Sequence, residues 1–293
     1  MQPEVPLLSV AIRQYIDTYI WQHNYSHKTT KNYEWAVSSF LKAVEDKPIT
    51  EITQADIITW RRYMESKQYT IGAVNAYLYR VRCLLKYYGK HLKLSIDPDE
   101  IIIPKKEKKL PKVLTRDQII QLVSHADLRG QVIIAVLYSS GIRVGELSRI
   151  KIRDIIGDTI KVRGKGSKER LVFLDDQTLA LIQTYLKTRN DVSPFLLYSK
   201  KGSGLGISAI QRIVRDAGRR AGIGDVTPHV LRHSFATHMV QQGCGAFHLQ
   251  KILGHEHIST TQIYVNLGDK DVYNAHKKFH KAIDKHTSIS YNA

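Results

Sequence analysis

The residues able to do chemistry crowd toward the C-terminal end of the chain. Thr227-Pro228-His229-Val-Leu-Arg232-His233 is followed by Leu253-Gly254-His255 and then by Tyr264. Threonine before proline reads as a helix N-cap with proline at the first helical position. That puts His229 in the first turn and Arg232, three residues on, along the same face. A guanidinium fork beside an imidazole makes a seat for a phosphate oxygen. Tyr264 follows His255 by nine positions, across a break at Gly254 and a Ser259-Thr-Thr cap, so the phenol can swing into the same pocket. A tyrosine aimed at a phosphate held by arginines and histidines is the layout of a covalent nucleophile. Taken singly, each piece has an ordinary explanation. A lone tyrosine is commonly a core or surface aromatic, and Leu-Gly-His is a helix C-cap followed by a cation that suits the dipole. The order of the pieces carries more weight, together with two elements upstream.

The first is Ser140-Gly-Ile-Arg143-Val-Gly-Glu146. Gly141 turns the chain, and Arg143 and Glu146 lie three apart on one face of a short helix, either as a surface salt bridge of little worth or as an arginine held for a phosphate. The second is Arg163-Gly-Lys165-Gly-Ser-Lys168, between two β-like runs within residues 152 to 174. Lys165 at the tip of such a hairpin is an ordinary turn lysine by default, or a mobile acid for a leaving alkoxide.

The elements that must position these residues follow a simple order. Residues 7 to about 96 read as four helices, with stripes such as Val74, Leu78, Val81 and Leu85 turned inward. Thr53-Gln-Ala-Asp56 is a capping box. Around the stripes sit Lys28, Lys31, Arg61, Arg62, Lys67, Arg80, Arg82 and Lys86, which together with the aromatics read as a DNA-holding surface or as a solvated face. Residues 97–112 carry Pro98, Pro104 and Pro111 around a Lys105-Lys-Glu-Lys-Lys109 run and read as a linker. Thr115-Arg-Asp-Gln118, another capping box, opens the second domain, with a helix to about residue 125 and an apolar one over 132–138. Further helices are predicted at about 176–189 and 208–221, the latter with a stripe of Arg212, Arg215, Arg219 and Arg220 suited to the major groove or to tracking phosphates.

Composition narrows the partners. The chain has 293 residues, 44 Lys+Arg against 27 Asp+Glu and a formal charge of +17, on a sequence 43% hydrophobic. That is a folded, two-domain protein with a polyanionic partner. Only Cys83 and Cys244 occur, which fits a reducing cytosol and excludes a disulfide scaffold or cysteine zinc cluster. The start lacks a signal-like pattern and no apolar run approaches a membrane span, so a cytoplasmic protein without a membrane partner is expected. Gly202, Gly204 and Gly206 do not form a dinucleotide fingerprint, no Gly-Lys-Ser/Thr phosphate loop is present, and the histidines lack the spacing of a zinc site.

With Arg143, Lys165, His229-x-x-Arg232, Leu-Gly-His255 and Tyr264 in this order, the chain resembles the tyrosine recombinases of the phage-integrase family, and the compact Xer-like and transposon-encoded members most. The resemblance implies a mainly α fold with a small antiparallel β-sheet. It makes residues 1–96 a SAM-like core-binding bundle, 97–112 the linker and 113–293 the catalytic domain. A terminal helix at about 269–285, with Val272, Ala275, Phe279 and Ile283 in a stripe, would dock on the neighbouring protomer. No extra N-terminal arm-binding domain of the kind larger phage integrases carry is expected, which speaks against lambda-type integration, and the compactness favours resolution.

The family implies Arg143, Lys165, His229, Arg232, His255 and Tyr264 as the catalytic set, with Glu146 buttressing the first arginine. It further implies attack of Tyr264 on the scissile phosphate, with no metal or nucleotide cofactor. The implied partners are a double-stranded DNA site with inverted repeats and a homotetramer spanning two such sites. Resolution of DNA dimers or transposon cointegrates is the expected task. Integration or excision of a mobile element, type IB topoisomerase-like relaxation and a non-catalytic DNA-binding regulator stand as alternatives, and a metal nuclease is a further one.

Overall fold

A computed structural model describes residues 5–23, 25, 27–104, 112–164, 169–199 and 202–254. Lys165, His255, Tyr264 and the predicted terminal helix at about 269–285 lie outside these residues. The chain divides into two compact units, residues 1–109 and 110–293, each described by itself.

The first unit is a helical bundle. Helix α1 (Leu8–Tyr15) runs on through a π-helical turn at Ile16–Ile20, and α2 (His27–Ala43), α3 (Gln54–Ser66) and α4 (Ile71–Tyr88) complete it. Each buries the stripe that its periodicity predicts, so Leu8, Ile12, Tyr15, Val37, Phe40, Trp60, Val81 and Leu85 meet in one core. The capping box opens α3: the Asp56 carboxylate accepts from the Thr53 backbone N–H at 2.8 Å and from its hydroxyl at 2.9 Å. Two buried polar groups find partners inside it, Trp60 Nε1 donating to Ser39 Oγ at 3.2 Å and the Tyr88 hydroxyl donating to the Ala11 carbonyl at 3.0 Å. Burial pushes the Tyr88 phenol up to about 12.

Residues read from sequence as the start of the linker pack on this bundle. Ile96 and Ile101 are buried in its core, a 3₁₀ turn spans Pro98–Glu100, and Asn75 Nδ2 donates to the Pro104 carbonyl at 2.6 Å. Asp99 pairs with both Arg82 and Lys86. The basic surface is therefore less free than its composition suggests, since Arg61 also pairs with Glu65 at 3.1 Å and Arg80 lies 5.5 Å over the Tyr33 ring.

The second unit is built around α6 (Leu128–Ser140). Its Val132, Ile133, Ile134, Val136 and Leu137 are all buried, because α5 (Arg116–Ser124), α8 (Asp176–Lys187), α9 (Ile207–Arg220) and α10 (Pro228–Gln241) surround it. A helix that is apolar on every side has to be central. A short helix, α7 (Val144–Leu147), follows the turn at Gly141, and α11 (Ala246–Leu253) ends the described chain.

The sheet is antiparallel in the order β1 (Ile155–Ile156), β2 (Thr159–Arg163), β3 (Glu169–Phe173). Ile160 and Val162 face the core, paired with Val172 and Arg170 respectively. The mainly α reading with one small antiparallel sheet holds. Among the described residues, no helix is long and apolar enough to cross a membrane.

Candidate active site

The local sequence folds the predicted residues as follows. Thr227 caps α10, its hydroxyl accepting from the Val230 N–H at 3.3 Å, with Pro228 at the first helical position. His229 is exposed and Arg232, one turn on, is only 6% exposed. His233 is half-buried, and burial together with the neighbouring His229 and Arg232 lowers its pKa, so the neutral imidazole is favoured. Arg143 is the N-cap of α7 rather than a residue inside it, and Glu146 at the third helical position accepts from the Arg143 backbone N–H at 2.8 Å.

The arginines meet at the C-terminal end of α11. That helix is seated by Leu249 and Leu253, which pack with Phe235 and Ala236 of α10. It ends at Gly254, whose φ of +63° is left-handed. Arg232 Nη2 donates to the Leu253 carbonyl at 2.8 Å, and Arg143 Nη2 to the Gly254 carbonyl at 3.1 Å. Arg232 Nη1 also donates to the Gly141 carbonyl at 2.6 Å, fastening α10 to the turn that carries Arg143. The last carbonyls of a helix lack intrahelical partners and form the negative end of its dipole, so cations gather there at low cost.

A residue not singled out from the sequence completes the group. Arg170 of β3 donates from Nη1 to Glu146 Oε1 and from Nη2 to Oε2, each at 2.9 Å, and from Nε to the Ile252 carbonyl at 3.0 Å. A signal for it was present: Arg170 shares the parity of Val172 on a strand whose alternate residues face the core. An arginine on that inner face requires a carboxylate partner. Glu146 is that partner, with a side chain only 3% exposed. Burial alone would raise its pKa, but the hydrogen bonds from Arg170 and from the Arg143 backbone outweigh this and hold the carboxylate below its ordinary range.

The surroundings are densely charged. Arg143 remains 40% exposed, and its Nη1 contact to Glu146 Oε1 is the loosest of the set at 3.3 Å. A polar cavity of about 390 Å³ beside Glu146 is lined by Arg149, Lys151, Arg153, Lys161 and Arg163 together with Asp154 and Glu169, and Glu169 already pairs with both Lys161 and Arg163. On α9, Arg212, Arg215, Arg219 and Arg220 are all exposed, but Arg219 pairs with Asp225 at 2.8 Å and Arg220 donates to the His125 carbonyl at 2.9 Å. Of the six predicted site residues, the structure brings Arg143 and Arg232 to adjacent carbonyls and puts His229 one turn before Arg232. Lys165, His255 and Tyr264 are outside the described residues, although β2 and β3 flank the first and Gly254 precedes the second.

A helical bundle followed by a helical unit that gathers three guanidinium groups at one helix end fits a protein that handles phosphoesters on a polyanion. Comparison with known proteins makes this specific. The profile described as "Phage integrase family" matches residues 112–271, and that described as "Phage integrase, N-terminal SAM-like domain" matches residues 12–91. Tyrosine recombinase XerA of Pyrococcus horikoshii is 33% identical over 285 residues, 95% of this chain and 96% of that protein. Tyrosine recombinase XerD of Listeria monocytogenes is 31% identical over 294 residues, 92% of this chain and 98% of that one. The crystal structure of a lambda integrase tetramer bound to a Holliday junction shares the fold, with a TM-score of 0.72 at 17% identity, covering 92% of this chain and 81% of that chain. The chain belongs to the phage integrase family, and its activity is site-specific tyrosine recombination, the cleavage and rejoining of DNA.

Proposed function

We propose that the protein recombines double-stranded DNA at a site with inverted repeats, resolving DNA dimers or cointegrates in the cytoplasm, with Tyr264 as the nucleophile. Residues 1–96, with the first part of the 97–112 stretch packed on them, hold the DNA core, the rest of 97–112 links, and 113–293 carry out catalysis. The phenolic oxygen of Tyr264 attacks the scissile phosphorus, forming a 3′-phosphotyrosyl ester as the bond to the 5′-oxygen breaks. His229 takes the phenol proton and Lys165 supplies one to the leaving 5′-oxygen. Arg143 and Arg232 stabilise the charge that develops on the non-bridging oxygens, and His255 hydrogen-bonds the same phosphate. The 5′-hydroxyl of a partner strand then reverses the step and frees the tyrosine. The ester conserves the bond energy, so the exchange needs no nucleotide. Exchange between two duplexes uses four such events, which suits a homotetramer on two sites, with the terminal helix at about 269–285 docked on the neighbouring subunit.

The observation that carries this reading is the meeting of Arg143 and Arg232 on the Leu253 and Gly254 carbonyls, just upstream of His255 and Tyr264. The test is capture of denaturation-resistant adducts between the protein and fragmented DNA of its source genome, followed by sequencing of the trapped ends. A shared site with inverted repeats, adducts lost in Tyr264→Phe and attachment through the 3′ end are expected. Adducts that survive Tyr264→Phe, or ends with no common sequence, would overturn the reading.

A further inference from the structure

We propose that Arg170 is a positioning residue of the cleavage site: by neutralising Glu146 and capping α11 it leaves the Arg143 guanidinium available to the scissile phosphate. The inference rests on the reading of Arg143 as a phosphate ligand and extends it to a residue that would not touch DNA.

Glu146 is a buried carboxylate with two cations in reach, and the geometry divides them unequally. Arg170 meets both carboxylate oxygens at 2.9 Å, the bidentate arrangement in which a guanidinium is most strongly held. Arg143 contributes its backbone N–H at 2.8 Å, which is independent of its charge, and a single long side-chain contact at 3.3 Å. A buried carboxylate left without its strong partner does not stay unpaired. Without Arg170, Glu146 would claim the fork of Arg143, which sits 40% exposed on the same carboxylate, and turn it away from a bound phosphate.

The third contact ties this charge balance to position. Nε of Arg170 donates to the Ile252 carbonyl at 3.0 Å, one residue before the carbonyl that Arg232 holds and two before the one that Arg143 holds. The hairpin strand, α7 and the end of α11 are therefore joined by one planar side chain. Gly254 is fitted to it, since a Cβ there would lie 3.0 Å from three guanidinium atoms of Arg170. Lysine cannot reproduce this, because its donors radiate from one nitrogen whereas the three acceptors are met by Nε, Nη1 and Nη2 of a planar fork.

The test compares Arg170→Met, Arg170→Lys and the double variant Arg170→Met with Glu146→Gln. Single-turnover adduct formation is measured at saturating protein on the DNA site recovered by adduct capture, and the dissociation constant for that DNA is measured separately. Arg170→Met is expected to slow adduct formation by about a hundredfold, the loss that follows when one aimed donor is removed, with DNA affinity within a few-fold of wild type. The double variant is expected to cleave faster than Arg170→Met yet below wild type, since a neutral amide makes no claim on Arg143 and still accepts its backbone N–H, while the Ile252 carbonyl stays uncapped. Arg170→Met at the wild-type rate, or a double variant no faster than the single one with both folded, would overturn the proposal. Should Arg170→Met not fold, Arg170→Lys decides: about tenfold slower adduct formation with DNA binding kept supports the role, and an unchanged rate sinks it. Arg143→Ala is the control. If it cleaves like wild type, the reading of Arg143 as a phosphate ligand has failed, and the fault lies there rather than with Arg170.

Discussion

Replacing Gly254 by alanine puts two separate stresses on the end of α11. The backbone at φ +63° and ψ +47° is left-handed, and an L residue there costs about 1–2 kcal/mol. The added Cβ would also come within 3.0 Å of Cζ, Nε and Nη1 of Arg170, tighter than ordinary packing, so the guanidinium must give way by a few tenths of an ångström. For a unit of this size each kcal/mol lowers the melting midpoint by about 2–4 °C, so the backbone cost alone predicts a drop of about 2–8 °C. The effect on catalysis should be larger in proportion. The Gly254 carbonyl accepts from Arg143 and the neighbouring Ile252 carbonyl from Arg170, and a misplacement on the order of 1 Å in a catalytic arrangement costs about a hundredfold. The assay pairs calorimetric melting with single-turnover adduct formation for Gly254→Ala and Gly254→Asn. Asparagine tolerates the left-handed conformation but brings the same Cβ, so it should recover much of the stability while staying slow. An alanine variant that melts and cleaves like wild type would refute the reasoning outright. An asparagine variant that recovers both would remove the guanidinium contact from the account.

The remaining expectations concern charge, polar burial and packing. The Glu146 pKa is lower in the folded protein than its ordinary value of 4.5, so its stabilisation is complete above pH 4.5 and is lost as pH falls through the lower folded value. Glu146→Gln should therefore flatten the acid limb of urea-measured stability, and near neutral pH it should cost about 3–5 kcal/mol by leaving Arg170 without its carboxylate. Ser234→Ala should destabilise by about 1–3 kcal/mol, because the buried Leu114 N–H, which donates to Ser234 Oγ at 2.8 Å, would lose its acceptor. Denaturant titration reads this as a lower midpoint at unchanged slope. Trp60→Ala in the first unit should cost about 3–5 kcal/mol, since the ring is fully buried 5.1 Å from that of Phe40, and thermal melts followed by far-UV circular dichroism would register the loss.

Local signals proved readable where one short stretch decides the structure. Thr227-Pro228 caps α10 and Thr115 caps α5 through Gln118, as the residue types demand. The glycine at 254 stops α11, and the α6 run is apolar enough to require the centre of its unit. What stayed hidden depends on distant residues. Arg170 was read only as part of a β-like run, and its partners lie 24 residues away at Glu146 and 82 away at Ile252. The phase of the strand pointed inward, but no local pattern names the carboxylate that meets it. The commitments of Arg82, Lys86 and Arg219 to nearby acids are equally invisible to a count of charges. The π-helical turn at Ile16–Ile20 escaped notice because it leaves the apolar stripe on the same side.

Arg143, Arg170 and Arg232 come from three separate stretches of chain and share one small platform, the final carbonyls of a two-turn helix. That platform works as a common latch. Any event that lifts the helix end loosens all three side chains together, and any event that reseats it returns all three. A movement of the helix end should therefore switch activity as a whole, because one displacement disturbs all three contacts at once.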